Sequence, residues 1–190
     1  MTREQALGLL HEHVKNINLR RHSYAVESVM RALARRFNED EEVWGIAGLL
    51  HDADYEVLKG SDKITSDHTK LTIQWLDKLQ ANSDISDAVA SHAWGYVGGA
   101  PKPKTRMQWS LYCCDELTGL IVAVALVKPD KKLSSVTVES IMKKWNEKSF
   151  AAGVNRHQIR ECESRLKIPL SEFVGIALTS MQKIALQLGL

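Results

Sequence analysis

Apolar residues recur every three or four positions along most of the chain, and no segment shows the strict alternation of a half-buried strand. This pattern predicts an all-α protein, and 190 residues suit a single domain. The predicted helices cover about residues 2–15, 18–38, 41–52, 67–79, 85–92 and 105–127. Two or three further helices are expected over 136–190, the last of them over 171–188.

Capping and helix-breaking residues set the predicted helix ends. Thr2 and Gln5 have the spacing of a capping box, and Asn18 is the expected N-cap of the second helix. Residues 61–65 are polar, and residues 95–104 ("GYVGGAPKPK") are rich in glycine and proline. We therefore predict that both segments are loops.

Four histidines extend the apolar stripes of predicted helices, so their imidazoles are expected to face the interior. His22, for example, lies four residues before Val26, and His51 lies four residues after Ala47. The four are His22, His51, His68 and His92. A single inward histidine is more often a hydrogen-bonded core residue than a ligand.

Three other histidines are assigned no chemistry. His13 also lies on an apolar stripe, and we interpret it as a packing residue. His11 and His157 are expected at the surface.

Two aspartates join the inward histidines. Asp52 follows Gly45 and Gly48 on a helix face that would let a neighbouring helix come close. Asp115 lies within the apolar helix over 105–127. An unpaired carboxylate buried there would cost several kcal/mol or become neutral, so it needs a cation.

A divalent metal ion would explain four histidines and two aspartates that face inward from several helices. Imidazole nitrogen and carboxylate oxygen suit zinc, iron, manganese, cobalt or nickel, and carboxylate-rich sites also bind magnesium. Periodicity alone leaves a metal site and a set of core histidines evenly balanced.

The order of His22, the adjacent His51 and Asp52, and Asp115 resembles the HD superfamily of metal-dependent phosphohydrolases over about residues 19–127. The phrases "LLHDADYE" and "CCDELTGLI" resemble a branch of small bacterial and archaeal members, and "PDKKL" and "FAAGVNR" extend the similarity toward the C-terminus. The resemblance implies an HD-domain-like helical bundle with extra C-terminal helices. We expect one domain over 1–190, with a core at about 19–127 and an extension at about 134–190.

The resemblance also implies that His22, His51, Asp52 and Asp115 bind one metal ion. His68 and His92 fall where two-metal members of the superfamily have additional histidines, and Asp52 would then bridge two ions. Whether one ion or two bind is left open by the sequence. The motifs of the cyclic-dinucleotide phosphodiesterase branch are absent after Asp52 and His92, which disfavours that class of substrate.

The implied activity is metal-dependent hydrolysis of a small phosphomonoester or phosphodiester, with a nucleotide as the favoured example. Asp52, Asp54 and Glu56 are the candidate catalytic residues. Asp54 and Glu56 follow the ligands closely enough to orient a water or carry a proton. The alternative, which we weight equally, is that both are solvated carboxylates of a loop.

Basic and aromatic residues near the ligands are candidate substrate contacts. A phosphate needs positive charge around it, although a solvent-facing charge is the ordinary role of a lysine or arginine. The basic candidates are Arg20, Arg21, Lys63, Lys102, Lys104 and Arg106. Trp94 and Tyr96 are candidates for stacking on a base.

The composition of the chain limits the classes of binding partner that we expect. A net charge of +2 gives no reason to expect a nucleic acid polymer or an anionic membrane as a partner. The longest apolar run, 120–127, is too short to span a bilayer.

Three cysteines do not make a disulfide framework, so we expect a cytoplasmic protein with Cys113 and Cys114 in the core. The helix over 171–188 is apolar on more than one side and either covers the core or forms a homodimer contact.

Two other functions remain open from the sequence. One is a non-catalytic metal- or ligand-binding sensor domain on the same scaffold. The other is oxygenase chemistry at a di-iron site, which some proteins with this fold carry out and which requires both metal sites.

Overall fold

The computed structural model describes all 190 residues and contains helices but no β-strand, which confirms the all-α prediction. The α-helices are α1 (Arg3–His13), α2 (Ile17–Phe37), α3 (Glu41–Leu50), α4 (Tyr55–Leu58), α5 (Ile64–Asp67), α6 (Lys70–Lys78), α7 (Ser83–His92), α8 (Arg106–Leu126), α9 (Val138–Trp145), α10 (Arg156–Glu161), α11 (Leu170–Lys183) and α12 (Ala185–Leu188). A short 3₁₀ helix (Leu133–Ser135) precedes α9, and a π-helical turn (Cys162–Leu166) follows α10.

The long helices α2 and α8 lie at the centre of the bundle. Helix α2 packs against α3, α8 and α11, and α8 also packs against α7 and α10. A single buried apolar cluster includes residues from α1 through α12, such as Leu10, Met30, Leu117 and Phe173. The C-terminal helices therefore share one hydrophobic core with the helices before them.

Helices α2 and α3 approach each other closely at a glycine. A Cβ placed on Gly48 would lie 3.0 Å from the backbone nitrogen of Glu27 and 3.0 Å from the carbonyl oxygen of Val26. A side chain at this position would meet backbone atoms that have little room to move. The predicted glycine face of α3 thus allows the close helix contact that brings His22 and His51 together.

Most helix ends agree with the prediction to within a few residues. Thr2 and Gln5 form the capping box of α1. The N-cap of α2 is Asn16 rather than Asn18, because the Asn16 side chain accepts hydrogen bonds from the backbone N–H groups of Asn18 and Leu19. Helix α3 ends at Leu50, so His51 and Asp52 lie in the turn that follows it.

Three other predicted boundaries are wrong. The segment predicted as a loop over 61–65 contains the start of α5 at Ile64. The helix expected over 67–79 begins only at Lys70, because Thr69 has a φ of 76° that no right-handed helix accommodates. The helix expected over 171–188 is divided at Ile184 into α11 and α12. The periodicity of apolar residues continues across both interruptions and does not reveal them.

One helix, α8, is long and apolar enough to cross a membrane by length and composition. Within this protein, 67% of its most apolar window is buried against other helices. A helix in the core of a globular protein can be equally long and apolar, and the burial of α8 explains its apolar composition.

Candidate metal centre

Five parts of the fold bring the predicted ligands to one place. Helix α2 supplies a histidine, the turn after α3 supplies the His-Asp pair, and α8 supplies the second aspartate. The other two histidines lie between α5 and α6 and at the last residue of α7. In this order the residues are His22, His51, Asp52, Asp115, His68 and His92.

The first cluster contains His22, His51, Asp52 and Asp115. The Nε2 atom of His22 lies 3.0 Å from Oδ1 of Asp115 and 3.1 Å from Nε2 of His51. Oδ1 of Asp115 lies 3.4 Å from Nε2 of His51. Oδ2 of Asp52 completes the group, 3.5 Å from Nε2 of His51 and 3.8 Å from Nε2 of His22.

The second cluster forms around the other oxygen of the same aspartate. Oδ1 of Asp52 lies 3.2 Å from Nε2 of His68 and 3.3 Å from Nε2 of His92. The two oxygens of Asp52 therefore face different groups of histidines. This arrangement is the geometry expected of a carboxylate that bridges two cations.

The spacing of these donor atoms fits a divalent metal. Bonds of roughly 2.0–2.2 Å to nitrogen and oxygen place neighbouring ligand atoms roughly 3.0–3.5 Å apart. The ligand atoms of the sets His22–His51–Asp115 and His51–Asp52–His92 lie within 4.8 Å of one another, close enough for a small shift of the side chains to complete a metal site. The residues present therefore fit a metal ion.

Each imidazole has its other ring nitrogen held by the protein. Nδ1 of His51 lies 2.8 Å from the carbonyl oxygen of Gly48, and Nδ1 of His92 lies 2.6 Å from that of Val89. A carbonyl oxygen only accepts, so both Nδ1 atoms carry the proton and both Nε2 atoms present a lone pair. Such anchoring is typical of metal-ligating histidines.

His22 is anchored through a hydroxyl group. Thr118 Oγ1 donates to the carbonyl oxygen of Asp115 at 2.8 Å, so it accepts from Nδ1 of His22 at 3.3 Å. The Nε2 atoms of His22 and His51 thus face each other at 3.1 Å with a lone pair each. Two lone pairs at that distance require a cation or a proton between them.

The electrostatics of the centre also favour positive charge. Burial lowers the pKa of His51, but the carboxylates of Asp52 and Asp115 outweigh burial and raise it to about 9. Burial likewise opposes the charged form of His68, and hydrogen bonds to Asp52 and Asp54 raise its pKa to about 10. Burial raises the pKa values of Asp52 and Asp115, but His51 together with the other nearby histidines outweighs burial and holds both values well below their usual range.

Asp54 is fully buried and does not face the cavity as a catalytic carboxylate. Its Oδ1 accepts from Nδ1 of His68 at 2.7 Å, and its Oδ2 accepts from the backbone N–H of Thr72 at 3.3 Å. Asp54 therefore orients His68 toward Asp52 and is not a solvated loop carboxylate. The strained φ of Thr69, the next residue after His68, belongs to the same local arrangement.

Glu56 points toward the start of α2. Its Oε2 accepts from the backbone N–H groups of Lys15 and Asn16, at 2.8 and 2.9 Å. It is absent from the wall of the cavity beside the metal centre. The structure thus gives Glu56 a role in holding the turn between α1 and α2.

The metal centre opens into a cavity of about 530 Å³. Its wall is formed by Leu19, His22, Asp52, Tyr55, Ile64, Thr65, His68, Tyr96, Val97, Asp115, Glu116 and Gly119. No lysine or arginine contributes to this wall, whereas three carboxylates do. None of the basic residues considered as candidate substrate contacts therefore lines this cavity.

The basic residues that were candidate substrate contacts lie outside this cavity and contact other parts of the protein. Arg20 donates to the carbonyl oxygens of Val14 and His11. Lys102 lies over the ring of Trp94, and Arg106 lies over that of Phe37. Lys63 and Lys104 also lie outside the cavity. Arg21 is next to His22 but faces a neighbouring cavity, which is described below.

The two candidate stacking residues have different environments. Trp94 packs edge-on against Trp109 and next to Tyr112, in a local aromatic cluster. Tyr96 lies on the cavity wall, with its ring centroid 6.3 Å from those of His68 and His92. Only Tyr96 is available to a bound molecule.

The remaining histidines behave as packing or surface residues. His13 stacks on Trp75, with ring centroids 3.7 Å apart and an angle of 3° between the planes. His11 and His157 are exposed. Inward position on a helix stripe thus does not by itself identify a ligand.

Several residues of the site were not singled out from the sequence. Thr118 and Thr72 hold His22 and Asp54 respectively, and Glu116 and Tyr55 line the cavity. Thr118 lies three residues after Asp115, so helical spacing places both on one face. No comparable signal identifies Thr72, because the two short helices α4 and α5 separate it from Asp54 along the chain.

The fold and the site together define an all-α protein with two adjoining histidine–carboxylate clusters able to hold divalent metal ions. The HD domain family matches residues 19–162, and the chain belongs to this family of metal-dependent hydrolases. No curated protein sequence matches the chain.

Proposed function

We propose that this protein is a metal-dependent phosphohydrolase that acts on a small phosphomonoester or phosphodiester. The observation that carries the proposal is the position of Asp52, whose two carboxylate oxygens face separate groups of histidines. His22, His51, Asp52 and Asp115 would hold one cation, and Asp52, His68 and His92 would hold a second. Manganese, iron, nickel, zinc, cobalt and magnesium are the candidate ions.

A divalent cation in such a site lowers the pKa of a water and polarises a phosphoryl oxygen. The protein's own groups prepare the site for this chemistry. The carbonyl oxygens of Gly48 and Val89, the Asp54 carboxylate and the Thr118 hydroxyl each accept an Nδ1 proton and so orient the four Nε2 atoms. Because these contacts exist before substrate binds, little reorganisation is needed during the reaction.

The cavity wall indicates a small substrate that is oriented by few polar groups. Tyr55, Tyr96 and Thr65 offer hydroxyl groups, and Leu19, Ile64 and Val97 offer apolar contact. With no basic side chain on this wall, the reacting phosphoryl group would depend on the metal ions for neutralisation of its charge. We also propose a cytoplasmic location and no nucleic acid polymer as partner.

Metal analysis combined with two chromogenic esters tests the proposal. The protein is loaded with manganese, nickel, cobalt or magnesium and assayed with para-nitrophenyl phosphate and bis(para-nitrophenyl) phosphate. We expect metal-stimulated release of nitrophenol from one of them. His51→Ala should remove the activity, and His157→Ala, which replaces an exposed histidine, should leave it unchanged.

The same preparation separates the rival functions. Absence of turnover with every metal, together with a small molecule that remains bound through purification, would support a sensor domain. Two iron ions per chain with a visible absorption band would support oxygenase chemistry. Either result would replace the phosphohydrolase proposal.

A further inference from the structure

A second cavity of about 500 Å³ adjoins the metal centre on the other side of His22. It lies between α2, α8 and the residues after α11, and its wall consists of Asn18, Arg21, His22, Ala25, Thr118, Gly119, Val122, Leu126, Leu188, Gly189 and Leu190. His22 and Gly119 belong to both cavities. The two cavities are thus neighbours along the α2–α8 pair, with His22 and Gly119 between them.

The second cavity contains an arginine without a partner. The other nine arginines each contact a carboxylate, a carbonyl oxygen or an aromatic ring. Arg21 makes no hydrogen bond and no ion pair, and its Nε atom is buried without an acceptor. A buried guanidinium donor without a partner is costly, so its presence calls for an anion.

The position of Arg21 is determined by close packing. A Cβ on Gly189 would overlap the guanidinium group, so the backbone of Gly189 lies directly against it. Gly189 also has a φ of 73°, which favours glycine. The guanidinium is therefore held in the cavity wall rather than extended into solvent.

The two cavities differ in their charged side chains. The wall at the metal centre carries Asp52, Asp115 and Glu116 together with His22 and His68 but no lysine or arginine, and Glu116 is not among the residues of the metal clusters. The wall of the second cavity carries Arg21 and no carboxylate side chain. A second negative group on a substrate would therefore meet a guanidinium group only in the second cavity, at Arg21.

We propose that the second cavity binds the distal part of the substrate, which carries a second oxyanion on an apolar spacer. Arg21 would bind the oxyanion, and Ala25, Val122 and Leu126 would contact the spacer. The inference rests on the proposed function, because the reacting phosphoryl group is placed at the metal centre. The distal oxyanion is a phosphate or a carboxylate, and both match the donors of a guanidinium group.

Binding of unreactive phosphonates to the manganese-loaded protein tests this inference without requiring turnover. Isothermal titration calorimetry compares alkyl phosphonates with alkyl bisphosphonates that carry one phosphonate at each end, over spacers from propane to octane. We expect one spacer length at which the bisphosphonate binds about 10 to 100 times more tightly than the matching monophosphonate. Phosphonoalkanoic acids of the same lengths show whether a carboxylate is preferred as the distal group.

Two substitutions test whether the preference for bisphosphonates arises in the second cavity. Arg21→Gln should reduce the ratio of the two affinities to near one, because it removes the guanidinium group of the second cavity, whose wall has no other arginine and no lysine. Gly119→Leu should do the same by filling the junction, since a Cβ at Gly119 meets no atom within 4 Å and the variant can fold without a clash. Arg36→Gln removes a charge from the same helix at an exposed ion pair with Glu172 and should keep the ratio.

Equal affinity for mono- and bisphosphonates at every spacer length, or no binding of either, would overturn the inference. Retention of the preference in Arg21→Gln would do so as well. The proposed function is tested separately by the chromogenic esters. Hydrolysis of those esters without any bisphosphonate preference leaves the hydrolase proposal standing and removes only the distal site.

Discussion

Each of the four imidazoles around Asp52 uses one ring nitrogen for a contact within the protein and presents the other to the centre. The contacts on the Nδ1 side go to two backbone carbonyl oxygens, one hydroxyl and one carboxylate. These partners determine which nitrogen carries the proton. At the residue scale, the site is therefore defined as much by Thr118 and Asp54 as by the ligands themselves.

Asp52→Asn should remove both metal ions. The amide keeps the shape of the side chain but loses the charge and presents an NH₂ group to one of the two clusters. We expect the metal content of the purified variant, measured by inductively coupled plasma mass spectrometry, to fall to the level of a chelated sample. Asp84→Asn, at an exposed position on α7, serves as the control. Full metal content in Asp52→Asn would contradict the assignment of this carboxylate as a bridge.

Asp54→Asn should weaken only the ion held by His68. The substitution removes the charge of the group that accepts from Nδ1 of His68, and loss of such an outer partner typically weakens metal binding about 10- to 100-fold. Titration of the chelated variant with manganese should show one tight site where the unchanged protein shows two. Asp62→Asn, in the exposed turn before α5, should behave as the unchanged protein. Two tight sites in Asp54→Asn would argue against the orienting role.

At the scale of elements, the spacing between α2 and α3 controls the distance between His22 and His51. Gly48 lies where the two helices touch, and the carbonyl oxygen of Gly48 also anchors His51. A change in this helix contact should therefore alter both stability and metal binding. Gly45 has a similar role nearer the start of α3, where the side chain of Arg31 occupies the space that a Cβ would take.

Gly48→Ala should destabilise the protein and weaken metal binding together. The added methyl group would lie 3.0 Å from backbone atoms of α2, and overpacking of this kind costs about 1–3 kcal/mol. Urea denaturation of the chelated protein measures the first effect, and manganese titration measures the second. Gly8→Ala is the matched control, because its Cβ meets no atom within 4 Å and helix propensity favours alanine by about 1 kcal/mol. A gain in stability in both variants would contradict the proposed helix contact.

At the scale of the whole molecule, the metal centre links stability to pH. The raised pKa values of His51 and His68 mean that the folded, metal-free protein binds protons more tightly than the unfolded chain. Their contribution to stability is fully present below the ordinary histidine pKa of 6.5 and is lost as the pH rises through their folded-state pKa values of about 9 and about 10. A metal ion competes with these protons, so its own stabilising effect should grow with pH.

The melting temperature of the chelated protein should therefore fall between pH 6.5 and pH 9, whereas the difference between metal-loaded and chelated samples should increase. Differential scanning calorimetry of paired samples at each pH measures both trends. The chelated form of Asp52→Asn should show a weaker pH dependence, because one of the carboxylates that raise the pKa of His51 is neutral there. A chelated protein that becomes more stable over this range would contradict the charge balance of the site.

The spacing of apolar residues along the chain determined how much of this protein could be predicted from its sequence. Apolar periodicity predicted the bundle and most helix ends, and it placed four histidines and Asp115 on inward faces. Their order along the chain indicated the family, which the match over 19–162 establishes. The strained Thr69 and the break at Ile184 escaped prediction, because neither interrupts the spacing of apolar residues.

Tertiary structure alone decided which partner each polar group meets. Asp54 and Glu56 are two residues apart, yet one holds His68 and the other binds the backbone before α2. Arg20 and Arg21 are adjacent, yet one binds carbonyl oxygens and the other lies in a cavity without an acceptor. Helical spacing determines the direction in which a side chain leaves its own helix. It carries no information about the atoms of other helices at that place, and those atoms come from parts of the chain that only folding brings together.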